Sequence, residues 1–121
     1  MLDHVGYAVR DFARSRAFYV AALAPLGIGI VVEGDRWAMM GRDGRPQFWF
    51  GVAGKPVNYL HLAFNARSRA EVDAFYAAAL AAGGSDNGAP GLRPHYSPDY
   101  YGAFVLDPDG LNIEAVTHAP A

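Results

Sequence analysis

The sequence has no cysteine, no long apolar run and no excess of basic residues. Without cysteine, disulfides and thiolate chemistry by the protein are excluded, and a bound metal ion must be held by His, Asp, Glu or Tyr. No apolar run approaches the ~20 residues that span a bilayer. The first residues, "MLDHVGYAVRD", lack the basic start and apolar stretch of a signal peptide. We therefore expect a cytosolic protein that does not enter membranes.

The net charge of −2 gives no basic field for nucleic acid. The chain has 121 residues, of which 52% are hydrophobic and 18% charged. These values are typical of one soluble globular domain with a sizeable core. We therefore predict a single domain, residues 1–121, that does not bind nucleic acid.

The chain contains an internal repeat. "AFYVAAL" at 17–23 matches "AFYAAAL" at 74–80, an offset of 57 residues (74 minus 17). The same offset relates His4 to His61 and Gly27 to Gly84. A fixed offset indicates a repeated structural unit, so we predict two modules, approximately 1–54 and 57–118.

Each module is predicted to contain a strand, a helix and three more strands. Asp11 and Ser68 are predicted helix N-caps, and Gly27 and Gly84 suit the position just past each helix end. Residues 83–102 contain five glycines and three prolines. We predict at most one short strand there, within a functional loop or lid.

Three polar residues interrupt apolar strands. Because side chains alternate along a strand, His4, His61 and Glu114 each lie on the face opposite a fully apolar one. Two imidazoles and a carboxylate suit one divalent ion (Fe, Mn, Zn, Ni or Co), which would also offset the charge of Glu114. The alternative is that each group is satisfied separately by local hydrogen bonds.

The motifs "DHVGYAVRD", "SRAFYVAALAPLG", "HLAF" and "YYGAFVLDPDGLNIEAV" resemble the vicinal oxygen chelate superfamily, which includes glyoxalases, bleomycin-resistance proteins and extradiol dioxygenases. The resemblance covers essentially the whole chain. It implies an α+β fold in which two βαβββ modules form a cupped, curved mixed sheet with helices outside. It also implies that His4, His61 and Glu114 are the metal ligands, and that the protein is a homodimer.

One departure from the family pattern disfavours a strict glyoxalase I. Such members carry a further carboxylate on the last strand of the first module, where this chain has Gly51. Proton shuttling needs a base within hydrogen-bond reach. Ring-cleaving members use a second histidine as acid-base, and none is evident near the end of the first module. Fosfomycin-modifying thiol transferases carry a threonine two residues after the first ligand, where this chain has Gly6. The reaction type stays open.

Further candidates surround the predicted cup. Trp49 shares the face of Gly51 and either lines the cavity or is an ordinary core aromatic. The segment 83–102 carries the other candidates, Arg93, His95, Tyr96, Tyr100 and Tyr101. Tyr101 and His95 are the candidate proton-transfer groups, and the rest could position an anionic or aromatic substrate. For each, a solvent-facing loop residue is the alternative.

Three classes of function follow. The first is a metal-dependent enzyme acting on a small substrate that chelates the ion through adjacent oxygens. The second is a metal-free protein that sequesters a drug or metabolite, as bleomycin-resistance members do. The third is a scaffold or interaction module, in which none of the three polar residues would matter.

Overall fold

The computed structural model describes residues 1–121 as two successive βαβββ modules. The first module contains β1 (Val5–Ala8), α1 (Phe12–Leu23), a 3₁₀ turn (Ala24–Leu26), β2 (Gly29–Glu33), β3 (Trp37–Gly41) and β4 (Phe48–Gly51). The second contains β5 (His61–Asn65), α2 (Arg69–Ala81), β6 (Ser85–Leu92), β7 (Tyr101–Leu106) and β8 (Asn112–Thr117). Neither helix combines the length and apolarity that crossing a bilayer requires.

The two modules form separate four-stranded sheets of identical topology. Their strand orders are β1-β4-β3-β2 and β5-β8-β7-β6, so the internal repeat of the sequence is a repeat of the fold. In each sheet the first and last strands of the module are parallel neighbours, and the other pairs are antiparallel. This order leaves β1 and β5 at sheet edges.

Local signals in the sequence set the helix boundaries. Asp11 and Ser68 are the N-caps, each accepting a hydrogen bond from the amide three residues later. Glu71 accepts a further bond from the amide of Arg67, which satisfies another free donor at the start of α2. The capped starts of both helices therefore lie where the sequence predicts them.

A single hydrophobic core contains residues of both modules. The α1 side chains Phe18 and Tyr19 lie in it with Phe48 of β4, Phe75 of α2 and Ile113 of β8, all essentially buried. Phe48 and Phe64 meet edge to face across the module boundary, with centroids 5.3 Å apart. The modules therefore share their main source of stability.

The structure differs from the sequence-based expectations in three places. β1 begins at Val5, so His4 precedes the strand. Residues 85–92 form an eight-residue strand where at most a short one was expected, because β6 pairs with β7 despite irregular register at Gly88. The left-handed residue after α2 is Gly83, with φ of 101°, and not Gly84.

Candidate metal centre

His61 and Glu114 meet on the face of the second sheet that is opposite the hydrophobic core. β5 and β8 run parallel with Ala63 opposite Glu114, so His61, two residues earlier, lies on the same face. His61 Nε2 is 2.8 Å from Glu114 Oε1. The glutamate side chain is only 1% exposed, whereas the imidazole is 43% exposed. The pair therefore presents a buried carboxylate behind an accessible ring.

The second carboxylate oxygen of Glu114 has its own partner. The Tyr100 hydroxyl donates a hydrogen bond to Glu114 Oε2. The pKa of the Tyr100 phenol is raised above its ordinary value. Burial is the largest cause, and this hydrogen bond is the second. The phenol is therefore protonated at neutral pH and acts as a donor. No lysine or arginine pairs with Glu114.

The pair opens into a cavity of about 330 Å³ that we call the aromatic cavity. It is lined by His61, Tyr96, Tyr100, Phe104 and Glu114. Phe104 is the register partner of Glu114 on β7 and therefore shares its face. The Arg93 guanidinium lies 5.5 Å from the centroid of the Phe104 ring, which places a positive charge beside the aromatic lining.

His4 lies apart from this pair. Its side chain is 62% exposed, and its Nδ1 is 2.8 Å from Asp3 Oδ1. It lines a different cavity of about 280 Å³, located between the modules, to which β3, β4 and β5 also contribute. No three His, Asp or Glu side chains of one chain are grouped to hold a metal ion. The expectation that His4 meets His61 and Glu114 within one chain is therefore not met.

Tyr101, which was a candidate proton-transfer group, contacts α2 and not Glu114. Its hydroxyl donates to Asp73 Oδ1 at 2.7 Å, and the Arg69 guanidinium lies 5.1 Å from its ring. The reason is the alternation along β7, which places Tyr101 and Phe104 on opposite faces of the sheet. Tyr101 therefore contacts α2, and Tyr100 is the tyrosine that reaches Glu114.

The other predicted residues divide between the two sheets. Tyr96 and Tyr100 line the aromatic cavity, whereas His95 is outside it and packs at a tilted angle against Tyr96, with centroids 4.2 Å apart. Trp49 lies on the first sheet, where a Cβ added to Gly6 or Gly51 would lie 2.8–3.0 Å from its ring. Trp49 therefore does not contact the pair within one chain.

Phe104 is the lining residue that the sequence-based reasoning missed. The sequence does contain a signal for Phe104. Side chains alternate along a strand, so Gly102 and Phe104, two residues apart, lie on the same face of β7. The His118 ring lies edge-on to Tyr100, with centroids 5.2 Å apart. Both residues therefore help to form the surroundings of Glu114.

The donor set fits a divalent ion. Bonds of ~2.0–2.2 Å at right angles separate neighbouring ligand atoms by about 3 Å, close to the 2.8 Å between His61 Nε2 and Glu114 Oε1. Within the chain, His61 is the only group in contact with Glu114 that could carry a positive charge. Imidazole and carboxylate together suit the first-row divalent metals.

Comparisons with known proteins agree with this fold. The family model described as "Glyoxalase/Bleomycin resistance protein/Dioxygenase superfamily" matches residues 1–115. The chain therefore belongs to this superfamily. No curated protein matches it in sequence.

Solved structures of relatives include a glyoxalase/bleomycin resistance protein from Albidiferax ferrireducens, which is 33% identical. The match covers 94% of this chain and 96% of that one, with a TM-score of 0.83. A glyoxalase-related enzyme from Fulvimarina pelagi is 20% identical over 97% of this chain and 87% of that one, with a TM-score of 0.74. A glyoxalase/bleomycin resistance protein/dioxygenase family enzyme from Burkholderia phytofirmans is 18% identical. That match covers 97% of this chain and 98% of the other, with a TM-score of 0.73. The last two are similar in fold alone.

Proposed function

We propose that the chain is a metal-dependent enzyme that holds one divalent ion between His61 and Glu114. The observation that carries this proposal is the 2.8 Å approach of His61 Nε2 to a carboxylate that is buried without a lysine or arginine partner. An ionised carboxylate out of water is costly unless it is paired or binds a metal. The location of the pair at the wall of a cavity also suits a site that a substrate can enter.

We further propose a homodimer in which His4 of a second copy completes the site. The free edges of β1 and β5 carry unpaired backbone groups, which favour association through those edges. Leu2 and Tyr59, which lie just before these two strands, are 74% and 78% exposed. A symmetric pair would use the same surface on both copies and build two equivalent sites.

The proposed substrate is a small molecule with two adjacent oxygens. A bound divalent ion would supply Lewis-acid polarisation of those oxygens. Phe104, Tyr96 and Tyr100 would exclude water and orient an apolar or aromatic part of the substrate. The Arg93 guanidinium near Phe104 favours substrates that carry negative charge.

Metal titration tests the proposal. Protein freed of metal by a chelator is titrated calorimetrically with Co²⁺, Mn²⁺ and Zn²⁺, and wild type should bind one ion per chain. Glu114→Gln and His61→Ala should lose this binding. Glu33→Gln is the matched control, because Glu33 pairs with Arg16 at 2.8 Å on the surface and should bind like wild type. Absence of binding, or unchanged binding by Glu114→Gln, would refute the metal site.

Activity is tested separately on the metal-loaded protein. Diols, α-hydroxy carbonyl thioesters and epoxides sample the chemistries that adjacent oxygens allow, and Glu114→Gln serves as the inactive control. Turnover that survives fully in Glu114→Gln would count against a role for the ion in the reaction.

A metal-free binding protein is the second candidate. It is favoured by one observation, namely that His61 and Tyr100 already satisfy both oxygens of Glu114. In that case, chelator-treated protein should bind aromatic ligands in the aromatic cavity as tightly as metal-loaded protein. The enzyme proposal predicts that ligands with adjacent oxygens bind at least tenfold more weakly after chelation.

A further inference from the structure

The two oxygens of Glu114 are held by different groups. Oε1 approaches His61 Nε2 at 2.8 Å, and Oε2 accepts a hydrogen bond from the Tyr100 hydroxyl. An ordinary phenol has a pKa of ~10 and is therefore a hydrogen-bond donor at neutral pH. Only Oε1 is thus turned toward the histidine that would share a metal ion.

The structure fixes the position of the Tyr100 ring from several sides. The ring packs edge-on against Tyr96 at 4.9 Å and against His118 at 5.2 Å. Its backbone closes the 93–100 loop, because the Arg93 amide donates to the Tyr100 carbonyl at 2.7 Å and the Tyr100 amide donates to the Ser97 carbonyl at 3.2 Å. The hydroxyl therefore lies on a loop that is held by backbone hydrogen bonds and ring contacts.

Gly102 provides the space for this contact. A Cβ added to Gly102 would lie 3.1 Å from Glu114 Oε2 and 3.2 Å from Tyr100 Cε1. Its φ is not among the left-handed glycines, so backbone conformation does not explain the glycine. The close approach of the carboxylate and the phenol ring does explain it.

We propose that Tyr100 is a positioning residue that restricts Glu114 to one oxygen toward the metal ion. This inference rests on the proposed function of the His61 and Glu114 pair. By donating a hydrogen bond to Oε2, the phenol would keep that oxygen from the ion, so that Glu114 would hold the ion through Oε1 alone. Removing a group that orients a metal ligand in this way typically lowers metal affinity by about 10–100-fold.

Co²⁺ binding by Tyr100→Phe tests the inference. The affinity is measured by calorimetry and the coordination by the visible absorption of the Co²⁺ complex, which depends on coordination number. The variant should bind Co²⁺ more weakly by about tenfold or more. The visible absorption of its Co²⁺ complex should also weaken, because Oε2 would be free to bind the ion. Gly102→Ala should shift the spectrum in the same direction, because the added Cβ displaces the phenol ring.

Tyr101→Phe is the matched control. It removes the hydroxyl of the neighbouring tyrosine, which bonds Asp73, and should leave both Co²⁺ affinity and spectrum unchanged. If wild type binds Co²⁺ and Tyr100→Phe matches it in both measurements, the positioning role is wrong while the metal site stands. If wild type binds no Co²⁺, the proposed function and this inference fail together.

Discussion

Tyr19 on α1 donates a 2.5 Å hydrogen bond to Asp107, which lies 88 residues later at the turn between β7 and β8. The bond joins the first module to the second inside the core, where Tyr19 is fully buried and Asp107 is 5% exposed. The Tyr7 hydroxyl is in turn hydrogen-bonded to that of Tyr19. The aspartate of the turn is thus an inter-module contact as well as a turn residue.

The rest of the turn supports the same contact. The second oxygen of Asp107, Oδ1, accepts from the amides of Asp109 and Leu111, both at 2.9 Å. Asp109 in turn accepts from the backbone amide of Arg10 at 3.1 Å. Since this turn leads directly into β8, the contact also orients the strand that carries Glu114.

Removing the Tyr19 hydroxyl should destabilise the protein. Tyr19→Phe leaves a buried oxygen of Asp107 without its donor, which costs about 1–3 kcal/mol in the free energy of unfolding. Urea denaturation measures the change. Tyr76→Phe is the control, since its hydroxyl bonds Asp86 at the surface and its loss should have little effect. Equal stability of Tyr19→Phe and wild type would show that the bond does not tie the modules together.

The stability of this contact should depend on pH in a defined direction. Desolvation by burial raises the pKa of Asp107, although bonds from Tyr19 and from the backbone amides oppose the shift. A raised pKa means that the folded state binds the proton more tightly than the unfolded state does. The free energy of unfolding contributed by Asp107 therefore falls as pH rises from the ordinary carboxyl pKa through the raised one.

The comparison of wild type with Asp107→Asn isolates this contribution, because asparagine does not titrate. The stability of wild type relative to the variant should increase as the pH is lowered from 7 toward 4, as measured by urea denaturation at each pH. A relative stability that decreases over this range would mean that the pKa of Asp107 is lowered by folding.

Much of the architecture could be predicted from the sequence because the signals are local. The heptapeptide repeat, the helix caps and the alternation around His61 and Glu114 predict two equivalent modules and place that pair on one face. The same information cannot fix how two sheets are placed in space. The sequence therefore does not reveal that His4 precedes β1 and lies apart from the pair in one chain.

The misassigned tyrosine has a simpler cause. Tyr100 and Tyr101 are adjacent, and the choice between them depends on where β7 begins and which face its first residue takes. Counting back from Glu114 through the register of β7 and β8 would have placed Tyr101 on the helix side. Tyr100 precedes the strand, so its approach to Glu114 depends on the path of the loop.

The central claim is that His61 and Glu114 of one copy and His4 of another form a single metal site. Heterodimers isolated with two different affinity tags test it, because bound metal can be counted per dimer. A dimer of His4→Ala with His61→Ala retains one complete site if His4 acts on its partner, and none if His4 acts within its own chain.

The reciprocal dimer makes the opposite prediction. It pairs wild type with a chain carrying both His4→Ala and His61→Ala, and it retains no complete site if His4 acts on its partner. The measurement is metal analysis of both heterodimers after removal of loosely bound ions. The account predicts about one ion in the first dimer and none in the second, and the reverse pattern, or equal metal in both, would contradict it.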